Sequence, residues 1–363
     1  MKILLTGAAG FLGWHTRARL RALTDHEVIA VDREEWANLQ DYVDGVDAVL
    51  HLAGVNRGPD EEVELGNVEL ARAVGDAVRA RGVRPRIVYA NSIQTGNGTP
   101  YGTGKAAAAE VLADLAAELG VHFVDIQLPN LYGEHGRPGY NSFVATFAHS
   151  VVNGETPSIV DKQVDLLHAQ GAAQALIDAL DTTQAVVKPQ GTPTTVQGVY
   201  DTLRDFNALY ATGDIPPLLT ELDVDLFNTL RAAKFPGHYP IALSPRSDDR
   251  GRLVEVVRAH GGQGQTFIST TKPRITRGEH FHLRKVERFV VVGGQARISL
   301  RKLFTDDVVS FDVTGDAPAV VDMPTMWVHK ITNTGSGELT TLFWTNELFD
   351  PQAPDTYPEA VAR

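Results

Sequence analysis

The feature that most constrains this chain is a glycine-rich turn that directly follows its first apolar run. Residues Lys2–Thr6 read KILLT, and glycines follow at positions 7, 10 and 13. Between a strand and a helix, this spacing allows a tight turn, close approach of the backbone to a pyrophosphate and close packing of the helix on the strand. An ordinary strand–helix turn is the competing interpretation. We predict a dinucleotide site whose contacts come from Gly7, Gly10, Phe11, Leu12 and Gly13.

The first 240 residues repeat a short apolar run followed by a longer, alanine-rich segment. We expect strands at 2–6, 27–32, 48–52, 86–90 and 122–127, and helices at 12–23, 62–81 and 102–119. This alternation predicts a Rossmann-like, doubly wound parallel sheet covered by helices on both faces, an α/β fold.

The C-terminal third has a different pattern, with short β-rich runs at 253–257, 266–270, 289–292, 296–300, 308–313, 319–323 and 339–345. Glycine-containing turns separate these runs, as is typical of an all-β sandwich or barrel. Proline and glycine interrupt any regular element at 235–240. We therefore expect a dinucleotide-binding and substrate domain over residues 1–240 and an all-β domain over residues 241–363.

Composition excludes several classes of function. The chain carries 33 lysine and arginine residues against 45 aspartate and glutamate residues, a formal charge of −12. An acidic chain without a basic tract is a poor binder of nucleic acid. The absence of cysteine excludes disulfides, thiolate metal sites and cysteine nucleophiles. No apolar run approaches the ~18 residues of a membrane span, and the N-terminal run is too short for a signal peptide. We expect a cytoplasmic protein with no nucleic-acid or membrane partner.

Two neighbouring residues bear on which dinucleotide is bound. Asp32 and Arg33 stand about 20 residues after the last glycine of the turn, where the ribose of a dinucleotide is recognised. Asp32 suits the free 2′-hydroxyl of NAD, whereas Arg33 suits the 2′-phosphate of NADP, so the pair leaves the cofactor open. The run at 48–52 ends in Leu52 and leads into Ala53 and Gly54, small residues against which an adenine ring can lie.

A serine, a tyrosine and a lysine follow the run at 86–90. Tyr101 and Lys105 are four positions apart and share one face of the expected helix. A phenol has a pKa of about 10, and a neighbouring ammonium stabilises the phenolate, which makes the tyrosine a usable proton donor. Lys105 can also hold the nicotinamide ribose, and Ser92 can orient a substrate oxygen. A chance surface pair is the alternative for a bare Y-x-x-x-K.

The C-terminal third contains three histidines and a glutamate in a metal-ligand pattern. Alternate residues of a strand share one face, so His280 and His282 can reach one ion. Glu287 and His329 complete a set of three nitrogens and one oxygen, which suits a divalent metal such as zinc and leaves room for water or substrate. Histidines that pack or bind substrate without metal are the alternative.

Residues 1–240 resemble the extended short-chain dehydrogenase/reductase family, which works largely on nucleotide-sugars. The resemblance places the glycine motif on Gly7, Gly10 and Gly13 and the catalytic residues on Ser92, Tyr101 and Lys105. It also implies a cofactor-binding role for Asn67 and substrate-binding roles for Gln94, Asn130 and Asn141.

One departure from that family bears on the reaction. Sugar-nucleotide dehydratases carry an aspartate–glutamate pair just after the catalytic serine or threonine, but Ile93 and Gln94 stand here. Without those carboxylates, elimination of water lacks its acid and base, so reduction or epimerisation is favoured. The interval from Ser92 to Tyr101 is also short, at nine positions.

The C-terminal third resembles the cupin superfamily (RmlC-like jelly-roll barrels), with His280, His282, Glu287 and His329 as metal ligands. Met326 replaces the glycine that is usual in the second cupin motif. A reductase followed by a cupin is an unusual pairing, and the whole chain resembles the CapF-like (WbjC-like) family of bifunctional capsular-polysaccharide enzymes.

That resemblance implies a step towards UDP-N-acetyl-L-fucosamine. The substrate would be a UDP-2-acetamido-2,6-dideoxy-hexos-4-ulose, epimerised at carbon 3 in the metal-containing cupin and reduced at carbon 4 with NADPH, or less favourably NADH. The product would be UDP-2-acetamido-2,6-dideoxy-L-talose, and we expect a homodimer. Lys285 is a candidate base for the epimerisation, with a structural role as its alternative.

Two other functions compete with this one. The chain could be a single-activity reductase or 4-epimerase whose cupin serves dimerisation or sugar binding. It could also be a redox sensor without catalysis, although a sensor has no need of the proton donor that Tyr101 provides.

Overall fold

The first apolar run lies at the centre of a parallel sheet, as its composition predicts. The computed structural model describes residues 1–362, and its contacts divide them into two compact units. The first unit comprises Met1–Tyr132 and Gln163–Thr194, and the second comprises Gly133–Lys162 and the residues from Thr195 onward.

The first unit is built on strands β1 (Lys2–Thr6), β2 (Glu27–Val31), β3 (Ala48–His51), β4 (Arg86–Ser92), β5 (Phe123–Leu128), β6 (Asn130–Tyr132), β7 (Gln163–His168), β8 (Val186–Val187) and β9 (Thr192–Thr195). A six-stranded parallel sheet has the order β2-β1-β3-β4-β5-β8, and β6, β7 and β9 form a small separate sheet. This is the predicted Rossmann-like sheet.

The helices of residues 1–362 are α1 (Phe11–Leu23), α2 (Asp60–Arg81), α3 (Pro100–Leu119), α4 (Phe143–Val152), α5 (Ala169–Asp178), α6 (Val196–Tyr210) and α7 (Glu221–Lys234), with a short 3₁₀ helix at Glu35–Asp41. Helices α2 and α3 cover one face of the large sheet, and α1 and α5 cover the other. Because successive strand residues point to opposite faces, Leu4 packs on the first face and Leu5 on the second. No helix among the described residues is long and apolar enough to cross a membrane.

The second unit combines α4, α6 and α7 with strands β10 (Ile241–Ala242), β11 (Arg246–Asp248), β12 (Gly251–Leu253), β13 (Gln265–Thr271), β14 (Thr276–Phe281), β15 (Glu287–Gly293), β16 (Gln295–Lys302), β17 (Val308–Thr314), β18 (Ala319–Met323), β19 (Trp327–Asn333), β20 (Leu339–Thr345) and β21 (Tyr357–Pro358). Two antiparallel sheets, β10-β18-β15-β20-β13 and β17-β16-β19-β14-β21, share one apolar core. We call these two sheets the C-terminal sandwich; they confirm the all-β prediction.

The strand predicted at 253–257 is wrong, because residues 254–258 have no strand pairing. The backbone there is used differently: the Arg258 carbonyl accepts from Ile215 N–H at 2.8 Å, and the Val256 carbonyl accepts from Arg288 at 3.4 Å. A β-rich composition cannot reveal that two carbonyls of this segment are taken by an arginine side chain and by the segment between α6 and α7 rather than by a continuous strand ladder.

The compact units do not follow a single cut in the chain. Helix α7 precedes residue 240, yet Arg231 donates to the Met323 carbonyl at 2.9 Å and Asn228 donates to the Arg284 carbonyl at 2.7 Å. The domain limits 1–240 and 241–363 therefore stay a prediction. The two compact units differ from these limits, because α4, α6 and α7 belong with the C-terminal sandwich.

A buried ion pair joins the helices of the second unit to the C-terminal sandwich. Arg288 on β15 donates to both carboxylate oxygens of Asp322 on β18, at 2.8 and 2.9 Å, and to the Gly213 carbonyl at 2.6 Å. Tyr210 at the end of α6 donates to the same carboxylate and lies 2.6 Å from the Tyr239 hydroxyl. Both charged side chains are fully buried, so each charge depends on its partner.

We predict that Arg288→Met lowers the free energy of unfolding by about 3–5 kcal/mol, because it leaves the Asp322 carboxylate buried without its counter-charge. Urea denaturation checks this. The control is Arg297→Ala, which breaks an ion pair with Asp312 whose side chains are 54% and 69% exposed. Because water screens such a pair, the free energy of unfolding should be nearly unchanged. Equal losses in the two variants would contradict the assignment.

Candidate active sites

The glycine turn has the backbone geometry that its spacing predicts. Gly7 has φ +70°, and a Cβ atom there would lie 2.7 Å from the Ala53 nitrogen. A Cβ atom on Gly13 would overlap the Gly7 carbonyl oxygen and lie 2.9 Å from Ala8 Cα. Close backbone approach thus requires both glycines. Gly7 lets the turn approach the segment directly after β3, and Gly13 lets α1 approach the turn. The start of α1 is left as a cradle of backbone N–H groups that fits a pyrophosphate.

The segment after β3 is held beside this turn by two side chains. Thr6 Oγ1 accepts from Ala53 N–H at 3.3 Å. Asn67 on α2 donates to the Val55 and Val63 carbonyls, both at 2.7 Å, and accepts from Val55 N–H at 3.2 Å. The Asn67 amide is therefore engaged by the backbone of Val55 and Val63, which holds Val55 beside α2; its cofactor-binding role stays a prediction.

The cofactor-selecting pair lies where the sequence predicts, directly after β2. The Asp32 carboxylate accepts from Glu34 N–H at 3.3 Å, and Arg33 is exposed. Since β2 is the parallel neighbour of β1, both residues follow a strand end on the same edge of the sheet as the glycine turn.

The predicted catalytic residues come together at the junction of β4 and α3. Ser92 is the last residue of β4, and Tyr101 lies in the first turn of α3, whose N-terminus is capped by the Thr99 side chain accepting from Gly102 N–H at 3.1 Å. Burial raises the pKa of Tyr101, and a hydrogen bond with the Ser92 side chain opposes this. The phenol is therefore protonated at neutral pH and contacts the serine.

Lys105, one helical turn after Tyr101, is buried with an unusual set of neighbours. Its ammonium donates to the Ala90 carbonyl at 2.7 Å and lies 4.2 Å from the centre of the Tyr89 ring. Burial lowers the pKa of Lys105 to about 7, and the Asp125 carboxylate opposes this. A lysine with such a pKa changes its charge within the physiological range.

Sequence reasoning missed a row of buried polar side chains beneath Lys105. Parallel pairing aligns Thr6, His51, Tyr89 and Asp125 on β1, β3, β4 and β5. The His51 ring stacks on Tyr89 at 5.5 Å, and burial followed by the charge of Lys105 lowers the pKa of His51 to about 3. The detectable signal was a polar residue in each of these apolar strands, at the end of β1 and β3 and in the middle of β4 and β5.

The predicted substrate residues are spread over both units. Gln94 is exposed, and its N–H donates to Ser92 Oγ at 3.2 Å. Asn130 begins β6 and donates to the Asp165 carbonyl on β7 at 3.3 Å. Asn141 lies in the second unit, two residues before α4.

The four predicted metal ligands converge within the C-terminal sandwich. His280 and His282 lie at the end of β14, Glu287 begins β15 and His329 lies on β19. The Nε2 atoms of His282, His329 and His280 are 3.0, 3.1 and 4.0 Å from Glu287 Oε2, and the ligand atoms all lie within 4.8 Å of one another. Three nitrogens and a carboxylate oxygen at this spacing fit a divalent cation.

The orientation and charge of these side chains also suit a cation. Nδ1 of His282 donates to the Asp355 carbonyl at 2.5 Å, and Nδ1 of His329 donates to the Trp327 carbonyl at 3.1 Å. Nε2 is therefore the atom of each ring that faces Glu287; although burial opposes it, Glu287 raises the pKa of His282. A cation would bind at the same Nε2 atoms in place of a proton. Burial lowers the pKa of His280 to about 3, with His329 and His282 adding to the effect, so this ring is neutral at physiological pH.

Two neighbouring residues answer questions that the sequence left open. Met326, in the place of the usual glycine, has φ +61°, and its N–H donates to the His282 carbonyl at 2.7 Å. The turn therefore keeps its left-handed backbone with a methionine. The Lys285 ammonium donates to the Pro354 carbonyl and lies 3.9 Å from the Glu347 carboxylate.

Comparison with known proteins supports the two-part architecture. Residues 3–191 match the family described as NAD dependent epimerase/dehydratase family, and residues 246–357 match the polysaccharide biosynthesis C-terminal domain. A UDP-2-acetamido-2,6-beta-L-arabino-hexul-4-ose reductase from Pseudomonas aeruginosa is 32% identical over 373 residues, covering 99% of both chains.

Solved structures agree with the sequence comparison. The capsular polysaccharide assembling protein CapF from Staphylococcus aureus is 31% identical, with a TM-score of 0.64 over 99% of this chain and 100% of that chain. A UDP-glucose 4-epimerase from Thermotoga maritima shares the fold at 19% identity, with a TM-score of 0.52 over 57% of this chain and 83% of that chain. The predicted resemblance to the CapF-like family is confirmed.

We predict that Gly13→Ala lowers the free energy of unfolding by about 1–3 kcal/mol, because its methyl group meets rigid backbone rather than a movable side chain. Chemical denaturation checks this. Gly75→Ala on α2 is the control: its Cβ would meet only the mobile end of Arg79 at 3.3 Å and Leu115 at 3.6 Å, so stability should be unchanged or slightly higher. A Gly13→Ala protein as stable as wild type would show that α1 does not need this close approach.

Proposed function

Because the chain belongs to the NAD dependent epimerase/dehydratase family, we propose that it is a bifunctional nucleotide-sugar enzyme of surface polysaccharide biosynthesis. Its substrate would be a UDP-2-acetamido-2,6-dideoxy-hexos-4-ulose and its product UDP-2-acetamido-2,6-dideoxy-L-talose, on the route to UDP-N-acetyl-L-fucosamine. The observation that carries the proposal is the presence of two differently built sites in one chain. Ser92, Tyr101 and Lys105 form one, and the His280, His282, Glu287 and His329 cluster forms the other. The name of the Pseudomonas aeruginosa relative supports the substrate class.

The first site would reduce the ketone at carbon 4 of the sugar. NADPH, held at the glycine turn and the end of β3, supplies the hydride. The Tyr101 phenol, kept protonated by burial, would donate its proton to the ketone oxygen, and Ser92 would orient that oxygen by a hydrogen bond. The Lys105 ammonium would stabilise the phenolate left behind. We propose NADPH over NADH because Arg33 is exposed and free to meet a 2′-phosphate.

The cluster in the C-terminal sandwich would serve epimerisation at carbon 3. The proton on carbon 3 is acidified by the adjacent ketone, so it can be removed and returned to the other face. A divalent metal, zinc in our proposal, supplies Lewis-acid stabilisation of the negative charge that develops. His282 and His329, their Nδ1 atoms held by backbone carbonyls, would present Nε2 as ligands together with His280 and Glu287. Lys285 is engaged by Pro354 and Glu347, so we assign it a structural role.

We predict that the two activities can be separated by substitution. Tyr101→Phe should lower the rate of NADPH oxidation by about 10²–10⁴-fold while deuterium from solvent still enters carbon 3. His280→Ala combined with His329→Ala should abolish deuterium entry. NADPH absorbance and NMR of the sugar in D₂O provide the two measurements. Undiminished deuterium entry in the double variant would favour the alternative, a single-activity reductase whose C-terminal sandwich serves dimerisation or sugar binding.

We also predict that kcat/KM for reduction falls as pH rises through about 7. The reaction needs Lys105 as an ammonium, and the pKa of this group is lowered to about 7 by burial, so the charged form is lost above that pH. Asp125→Asn should move the falling limb to lower pH, because the Asp125 carboxylate favours the charged ammonium. Asp114→Asn, at an exposed position of the same helix, should leave the profile unchanged. A flat profile from pH 6 to 9 in wild type would rule out this role for Lys105.

A further inference from the structure

The last described residues of the chain return to β14, which carries the proposed metal ligand His280 and is directly followed by a second one, His282. Strand β21 pairs with β14, with Pro358 opposite His280 and Tyr357 opposite Phe281. We call residues 354–361 the C-terminal strap. It follows a stretch, residues 346–353, that belongs to no strand or helix, so its position depends on the contacts it makes with the C-terminal sandwich.

Asp355 is the residue through which the strap acts on the site. Its carboxylate accepts from three successive N–H groups, those of Leu283 and Arg284 at 3.0 Å each and that of Lys285 at 2.7 Å. These groups belong to the connection between β14 and β15, and hence between the ligands His282 and Glu287. Asp355 has φ +41°, a backbone region that a non-glycine residue occupies only when its surroundings impose it.

The backbone of the same residue holds a proposed ligand directly. The Asp355 carbonyl accepts from His282 Nδ1 at 2.5 Å, across a separation of 73 residues in the chain. His329 obtains the equivalent hydrogen bond from Trp327, two residues away on its own strand. The orientation of His329 is therefore local, whereas that of His282 depends on a distant segment.

The remaining strap residues anchor it on both sides of Asp355. On the C-terminal side, Val361 N–H donates to the Glu279 carboxylate at 2.6 Å, and Arg301 donates to the Val361 and Ala360 carbonyls at 2.8 and 2.6 Å. On the N-terminal side, the buried Lys285 ammonium donates to the Pro354 carbonyl. The strap is thus fixed at both ends by charged groups, which leaves Asp355 little freedom to move away from His282.

We infer that Asp355 is a positioning residue for the metal centre. Its carboxylate fixes the loop between two ligands, and its carbonyl holds the Nδ1 proton of His282, which keeps Nε2 turned towards Glu287 as the ligand atom. The inference rests on the metal site of the proposed function. Asp355→Ala keeps the carbonyl but removes the carboxylate that holds the residue and the loop in place, so the hydrogen bond to His282 should loosen. Loss of an outer hydrogen bond to a ligating histidine lowers metal affinity by about 10–100-fold, and we expect Asp355→Ala to fall in this range.

The test measures Zn²⁺ affinity by competition with a chromophoric chelator for four proteins. Asp355→Ala removes the carboxylate. Asp355→Asn keeps one acceptor oxygen, and asparagine tolerates positive φ, so this variant should keep most of the wild-type Zn²⁺ affinity. Asp350→Ala is the control in the same tail, because the Asp350 carboxylate accepts from Gln352 N–H at 2.8 Å within its own turn; it should match wild type. Thermal unfolding verifies that each variant is folded.

A second readout is independent of metal. Long-range ¹H–¹⁵N spectra of histidine-labelled, metal-free protein report which ring nitrogens carry protons. Wild type should show His282 Nδ1 protonated, and Asp355→Ala should show partial loss of this Nδ1 proton. If wild type binds no Zn²⁺, the metal site fails, while this spectrum still decides what Asp355 does to His282. A second outcome overturns the strap inference while the metal site stands. In it, wild type binds Zn²⁺, the Zn²⁺ affinity of Asp355→Ala is within twofold of wild type, and the Nδ1 proton of His282 is unchanged.

Discussion

The parallel register of the central sheet is the constraint on which the first site depends. Parallel pairing brings the carboxyl ends of β1, β3 and β4 to one edge, and ligands of open α/β sheets bind outside that edge. The glycine turn and the segment after His51 each follow one of these strand ends, and Ser92, which we predict to be catalytic, is the last residue of β4. The strand register by itself therefore makes neighbours of residues that lie tens of positions apart in the chain.

The same register explains the environment of Lys105. Parallel pairing places His51, Tyr89 and Asp125 in one row across three strands, so the lysine meets an aromatic face and a carboxylate instead of an apolar core. Burial penalises the ammonium, and these groups compensate in part, which leaves its pKa about 7. Burying an ammonium lowers the stability of the folded protein. In return, Lys105 has a pKa at which the proposed reaction can use its charge.

The C-terminal sandwich also buries an ionisable group, the Glu287 carboxylate. Burial by itself would raise the pKa of Glu287, but the imidazoles of His282 and His329 hold it well below its ordinary value. Nδ1–H of each of these two rings donates to a backbone carbonyl, so Nε2 is the ring atom that faces the Glu287 carboxylate. Antiparallel strands are well suited to this arrangement, because alternate residues face one side and the backbone supplies fixed acceptors nearby.

Local patterns determined a large part of this protein. Strand–helix alternation predicted the parallel sheet, the Gly7, Gly10 and Gly13 spacing predicted the turn, and the H-x-H pattern identified residues that the structure brings together. Each of these follows from periodicity or from backbone demands within a few residues. Only the tertiary structure decided that residues 254–258 form no strand, that Asp125 lies beside Lys105, and that Asp355 holds His282. Those relations join segments that no local pattern connects, since they arise from strand register and chain return, which are settled when the whole core packs.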